Sequence, residues 1–201
     1  LKEKEESFNK FKSLYLPNYQ QLPSNILEVL RNLKNVEVKK VGWGRVGNEG
    51  LEVIYNLVLN INPKLVVETG VAYGATTITI LSSLKDGRLI SVDKEKDVGF
   101  LVGFLPQNCK EKWKLLVGKS VDVLPTINED VDIFIHDSLH TYKNMMFEFE
   151  WALSKHPKFI ISHDIGFNNS FFDFANKHQL PFYFLKSRRS YYGMGVVVSG
   201  K

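Results

Sequence analysis

The chain has 201 residues, 44% of them hydrophobic and 24% charged, which suits one soluble domain with a sizeable core and leaves little room for two. Its formal net charge of +4 and pI of about 9.0 suit an anionic substrate or nucleic acid without requiring either. Cys109 is the only cysteine, which excludes an intrachain disulfide and points to a reducing, cytoplasmic setting.

No apolar run is long enough to span a bilayer. No secretory signal opens the sequence, although a start at Leu1 leaves room for a removed leader. The first forty residues are charged and irregular, with helical spacing at Phe8, Phe11 and Leu14-Tyr15. A second helix is predicted from Ser24, read as its N-cap, through Leu33. The glycine-rich stretch Val41 to Gly50 carries Trp43 and Arg45 and reads either as a connector or as a lid over a site. Residues 1–47 thus form an N-terminal helical cap and loop, and 48–201 the core of a single domain.

A helix from Leu51 to about Asn60 ends at Asn62-Pro63. The apolar run Leu65 to Glu68 is the first strand, Arg88 to Asp93 the second, and Lys114 to Gly118 the third. A helix between Glu95 and Leu105 is weakened by Gly99, Gly103 and Pro106. Val131 to Ile135 is the fourth strand. A helix capped by Thr141 follows, with Tyr142, Met145, Phe149 and Leu153 as a core-packing stripe. Lys158 to Ser162 is the fifth strand, and a helix spans about Ser170 to Lys177. Pro181 to Lys186 and Tyr192 to Ser199 read as a terminal antiparallel strand pair. Strand–helix alternation implies an α/β fold, a Rossmann-like three-layer α/β/α sandwich around a mostly parallel sheet.

The stretch Leu65 to Thr77 organises the rest. After the first strand come Glu68, Thr69, Gly70, Tyr73 and Gly74, and helical spacing resumes at Ile78, Leu81 and Leu84. A tight glycine turn there lies at the carboxyl end of a strand, where open parallel sheets bind ligands. Its glycines let the backbone approach a ligand closely. The spacing is not the G-x-G-x-x-G of pyrophosphate binders, and an acid beside the turn repels a pyrophosphate while suiting a positive centre. Acids also end the other strands: Asp93 the second, Asp137 the fourth, Asp164 the fifth, with Ser120 after the third. Asp93 stands where a carboxylate accepts both ribose hydroxyls in nucleoside-binding α/β folds.

With the motifs Glu68 to Thr76, Asp93, Asp137-x-x-His140-x-Tyr142 and His163-Asp164, the sequence from Asn48 onward resembles the class I S-adenosylmethionine-dependent methyltransferases. Within them it is similar to the small-molecule O-methyltransferase and cephalosporin-hydroxylase-like group. The resemblance implies methyl transfer to an oxygen or nitrogen of a small molecule. Glu68, Thr69, Gly70, Tyr73 and Gly74 would hold the methionine end, Asp93 the ribose, and Ser120 would border the adenine. Asp137 would lie beside the sulfonium and the acceptor.

Departures from the family pattern matter. Leu139 replaces an acid, and Asp164 is followed by Ile165 rather than by the Asn of catechol-type enzymes. Asp137 and Asp164 are the candidate ligands of an Mg²⁺ ion, of which they supply two oxygens where a hard cation needs more. Without a metal, His140 or His163 is the candidate general base, whereas His136, on the strand, reads as structural. Arg188, Arg189, Tyr191 and Tyr192 read as a basic turn or a grip on the acceptor. The rival readings are an RNA or other macromolecule methyltransferase, a nicotinamide-dependent oxidoreductase, and a cofactor binder without catalysis.

Overall fold

Apolar strands alternating with helices assemble into one sheet covered on both faces. The computed structural model describes residues 2–35, 46–185 and 193–200. Helices α1 (Lys2–Tyr15), α2 (Ser24–Arg31) and α3 (Asn48–Ile61) come first. Then follow β1 (Leu65–Thr69), α4 (Ala75–Ser83), β2 (Arg88–Asp93), α5 (Gln107–Lys110), β3 (Trp113–Val117) and α6 (Ser120–Val123). The order continues with β4 (Ile133–His136), α7 (Tyr142–Leu153), β5 (Phe159–His163), α8 (Ser170–Lys177), β6 (Phe182–Leu185) and β7 (Met194–Val198). Trp43, Arg45, Arg188, Arg189, Tyr191 and Tyr192 lie outside the described residues.

The seven strands take the order β3-β2-β1-β4-β5-β7-β6. β1 to β5 are parallel. β7 inserts antiparallel between β5 and β6, so the terminal pair is antiparallel as its short connection required. Strand side chains alternate between faces. Val66, Leu89, Ile133, Ile161 and Val196 pack with Ile26, Leu51, Ile54 and Ile78 of α2 to α4. Val67, Ile90, Phe134, Ile160 and Val197 pack with Phe149, Phe171 and Phe174 of α7 and α8. Helix α1 belongs to the first layer, with Phe11 buried against Phe159 and Tyr183.

Three local expectations change. Pro23, not Ser24, stands at the N-cap of α2, and no side chain caps it. The helix expected over Glu95 to Leu105 shrinks to a 3-10 turn, Phe100–Phe104. Gly99 enters it at φ +74 and Pro106 follows it, and neither continues an α-helix. Helix α3 begins at Asn48, three residues early, with Gly47 at its N-cap. The Thr141 cap of α7 is present, its hydroxyl accepting from the Asn144 N–H.

The chain leaves β1 toward β2 on one side and β4 lies on the other, so the topology reverses at β1. A crevice therefore opens above the carboxyl ends of β1 and β4. Among the described residues no helix is long and apolar enough to cross a membrane.

Candidate active site

Gly70 opens the turn after β1 at φ +83, a conformation that excludes most side chains. A Cβ here would lie 2.0 Å from the Asp137 carbonyl oxygen, so the first turn and the fourth strand end are pressed backbone to backbone. The Gly70 N–H donates to the Val92 carbonyl and the Asp137 N–H to that of Thr69, locking the three strand ends in register. Asp93 clamps the turn: Oδ2 accepts from the Val71 N–H at 2.8 Å and Oδ1 from the Glu95 N–H at 3.0 Å.

Beneath the turn, Glu68 is buried with 1% exposure. Its Oε1 accepts from the Thr77 and Ser91 hydroxyls, each at 2.6 Å, and Trp113 Nε1 donates to Ser91 Oγ at 2.7 Å. Burial pushes the Glu68 carboxyl up to about 7, the two hydroxyls opposing and the Asp137 and Asp93 charges adding.

The crevice encloses about 880 Å³, within the range of small-molecule sites, about 300–1,000 Å³. Gly70, Asp93, Ser120 and Asp137 line one part of it, and His140, His163, Asp164 and Phe167 another. The second part is a cluster. His163 Nδ1 lies 3.1 Å from Asp137 Oδ1 and 3.4 Å from Asp164 Oδ2, and His140 Nε2 lies 3.9 Å from Asp137 Oδ1. His140 stacks on Phe167, centroids 5.4 Å apart. The two imidazoles are tuned in opposite directions. For His163, burial is the largest influence and works downward. The hydrogen bonds and charges of Asp137 and Asp164 outweigh it and hold the ring up at about 10. For His140, burial and the neighbouring His136 push the pKa down against the weaker pull of the aspartates.

A family model described as a methyltransferase domain matches residues 67–165. No curated protein sequence matches the chain. Among solved structures, the O-methyltransferase TomG from Streptomyces achromogenes, involved in tomaymycin synthesis and in complex with SAM, is 14% identical. Its TM-score is 0.68, with 99% of each chain covered. An O-methyltransferase from Bacillus cereus in complex with SAH is 16% identical at TM-score 0.64, covering 96% of this chain and 99% of its own. The SAH-bound methyltransferase of Podospora anserina is 10% identical at TM-score 0.65, over 98% and 97%. At these identities the likeness is one of fold.

The matched stretch runs from within β1 to just past β5 and so holds every strand end that opens on the crevice. Of the residues singled out by sequence, Gly70, Asp93, Ser120, Asp137, His140, His163 and Asp164 line the cavity. Glu68, Thr69, Tyr73 and Gly74 stand behind its wall. Thr69 is buried and donates to Glu148 Oε2 at 2.6 Å. The Tyr73 carbonyl accepts from the Leu101 N–H, and Gly74 packs on Gly99.

Sequence reasoning missed Glu148, the hub of the crevice floor. It lies on α7, wholly buried. Its Oε2 takes Thr69 and lies 2.6 Å from His136 Nδ1, and its Oε1 takes Ser138 at 2.7 Å and Asn144 at 2.9 Å. Burial alone would raise this carboxyl most. The charge and hydrogen bond of His136, with the Ser120 and Thr69 hydroxyls, outweigh burial and hold it well below the usual range. The only signal in sequence was an acid three residues after Met145 and just before Phe149, inside an apolar stripe. His136 is buried on β4 and partners this carboxylate.

The burial of Glu68 predicts a pH effect. Its folded pKa stands above its ordinary value of 4.5, at about 7. Between those values the folded state binds more proton than the unfolded, so stability falls as pH rises through that window. Above it the penalty is about 3 kcal/mol, each unit being about 1.4. Glu68→Gln, which cannot ionise, removes this contribution. Urea unfolding of the cofactor-free protein at pH 5 and pH 8 is expected to show the variant gaining on the parent at the higher pH. An unchanged difference between the two proteins would show Glu68 to be unshifted.

Proposed function

We propose that the protein transfers a methyl group from S-adenosylmethionine to an oxygen of a small organic acceptor, with nitrogen as the other nucleophile. The observation that carries this reading is the acid-lined crevice at the β1/β4 switch point, with Gly70 packed against the Asp137 backbone at its base, within the stretch that a methyltransferase-domain model matches. Gly70 lines the crevice beside Asp93 and Asp137, and without a side chain its backbone is open to close approach by the amino-acid end of the cofactor. Asp93 has lone pairs beyond its two backbone bonds for the ribose hydroxyls, Ser120 borders the adenine, and Asp137 faces the sulfonium, whose charge it favours.

When bound, S-adenosylmethionine supplies an electrophilic methyl on a good leaving group. The chain's own part is alignment and removal of the acceptor's proton. The downward shift of His140 supports it as the neutral imidazole that takes that proton, beside Asp137, which stabilises the charge formed. His163, held protonated between two aspartates, suits neutralising them better than accepting a proton. The exposed apolar Leu139 and Phe167 at the mouth suit an organic acceptor. The solitary, half-buried Cys109 fits a reducing, cytoplasmic setting.

An Mg²⁺ ion, used by some O-methyltransferases, does not suit this donor set. Mg²⁺ demands near-octahedral oxygen ligands, and here an imidazole nitrogen stands between Asp137 and Asp164.

Calorimetric titration with S-adenosylhomocysteine and with NAD tests the reading: heat with the first and none with the second is expected, and the reverse would overturn it. Asp93→Ala is expected to weaken S-adenosylhomocysteine binding by about 1–3 kcal/mol, the loss of a charged hydrogen-bond partner. Parental affinity in a folded variant would remove Asp93 from the ribose site.

A further inference from the structure

The two edges of the sheet are finished differently. At the β6 edge helix α1 lies against the strand: the Phe184 N–H donates to Ser7 Oγ at 3.0 Å, and Phe11 packs on Tyr183. The β3 edge has no such cover among the described residues. In its ladder with β2 the Lys112 carbonyl accepts from the Leu89 N–H, and the Gly118 N–H donates to the Asp93 carbonyl. Even-numbered residues therefore face β2, and the backbone N–H and C=O groups of Trp113, Leu115 and Val117 face outward. Nothing among the described residues pairs with those outward groups. The strand is also apolar. Trp113, Leu115 and Leu116 are half-buried and Val117 is 52% exposed. An apolar edge with free backbone groups is a template for another strand.

Beside this edge one face of the sheet lies open. Arg88 and Ile90 of β2 stand next to Lys114 and Leu116 of β3, and with Ile127 and Glu129 they line a groove of about 360 Å³. It exists because the chain from β3 to β4 carries only α6, four residues long, and a 3-10 turn, Leu124–Thr126. These are too short to cover the face. The groove is apolar at Ile90, Leu116 and Ile127, and its charge is net positive. Glu129 answers Arg88 at 2.8 Å, whereas Lys114 has no carboxylate partner among the described residues. Residues 111–119 hold three lysines against one glutamate.

We infer that the β3 edge binds an extended acidic segment of a partner protein, which adds to the seven-stranded sheet as a further strand. Main-chain bonds to Trp113, Leu115 and Val117 give the affinity, and alternate side chains give the specificity. Apolar side chains lie over Ile90 and Leu116, and carboxylates stand beside Lys114 and Arg88. A second copy of this chain is the poorer occupant, because two β3 edges bring like-charged stretches together. The inference stands apart from methyl transfer, since no residue of β3 or of the groove lines the crevice.

The test titrates the isotope-labelled full chain with a short capped peptide of alternating glutamate and valine and follows the backbone amide signals. Saturable shifts are expected at Trp113 to Val117. The same peptide with lysine for glutamate is expected to bind far more weakly. So is one N-methylated on alternate amides, which keeps its side chains but cannot build a ladder. Lys114→Glu turns an attraction at an exposed side chain into a repulsion and is expected to weaken binding about tenfold. Val117→Pro removes one outward N–H and no bond to β2, a place where an edge strand tolerates proline, and is expected to abolish binding. Circular dichroism and the urea midpoint show whether both variants fold. Absence of shifts at β3, shifts confined to the crevice, or equal affinity for the lysine or the N-methylated peptide would each overturn the inference. A monomer–dimer equilibrium in sedimentation that Val117→Pro abolishes would overturn it in favour of a second copy on this edge.

Discussion

Gly70→Ala is expected to destroy the crevice. The new Cβ would meet the Asp137 carbonyl oxygen at 2.0 Å, its carbon at 2.6 Å and Ser138 Cα at 3.0 Å. All three are backbone, so no side chain can swing aside. The alanine must also hold φ +83, which costs about 1–2 kcal/mol for a residue with a Cβ. Relief requires the ends of β1 and β4 to part, against the Asp137 N–H to Thr69 bond. Overpacking of this kind costs about 1–3 kcal/mol more. The expected result is a large drop in the urea midpoint together with loss of S-adenosylhomocysteine binding. Two other glycines calibrate the effect. A Cβ on Gly74 would approach Gly99 Cα at 3.1 Å, and one on Gly103 would meet nothing within 4 Å. The losses should therefore rank Gly70→Ala, then Gly74→Ala, then Gly103→Ala. Parental binding in Gly70→Ala would mean that the turn does not approach the ligand.

Glu148→Ala is expected to lower stability by about 3–5 kcal/mol, the scale for removing one partner of a buried charged network. The substitution strands the Thr69 hydroxyl, His136 Nδ1, the Ser138 hydroxyl and the Asn144 amide in the interior. It also reaches the crevice. Ser138 and Asn144 line it, and the Ser120 hydroxyl donates to Asn144 Oδ1 at 3.2 Å, so the Ser120 side of the crevice loses its anchorage. Urea unfolding gives the first effect and calorimetry with S-adenosylhomocysteine the second. A loss below about 1 kcal/mol, the worth of one ordinary hydrogen bond, would show that the carboxylate is not the hub its four contacts suggest. His136→Phe in the Glu148→Ala background is expected to recover part of the loss, because it removes one of the stranded groups.

The two substitutions act at opposite ends of what could be read from sequence. Gly70 was legible because the switch from a strand period to a helical one is local, and a glycine at such a switch has few reasons to be there. Glu148 was not, because its meaning lies in partners up to 79 residues away. On a helix between Met145 and Phe149 an acid reads as solvent-facing until the sheet is laid against it.

The sequence by itself determined the order of strands and helices, the antiparallel terminal pair, and the set of polar residues at strand ends. Hydrophobic periodicity, glycine turns and right-handed crossovers are properties of short stretches, and they leave few topologies open. It also nominated Asp93, Ser120, Asp137, His140, His163 and Asp164, because the carboxyl ends of parallel strands face one crevice whatever the packing details. Only the tertiary structure decided which polar groups look into that crevice and which hold it up. Glu68, Thr69 and Gly74 went behind the wall and Glu148 beneath the floor, because side-chain direction at a strand end depends on the twist and the helix packed there. It also separated His140 from His163. The two imidazoles are alike in sequence context, each next to or near an aspartate. Their protonation is set by burial and by the distance to two carboxylates, 3.1 and 3.4 Å for one ring and 3.9 Å to a single carboxylate for the other, and such distances exist only once β4 and β5 lie side by side.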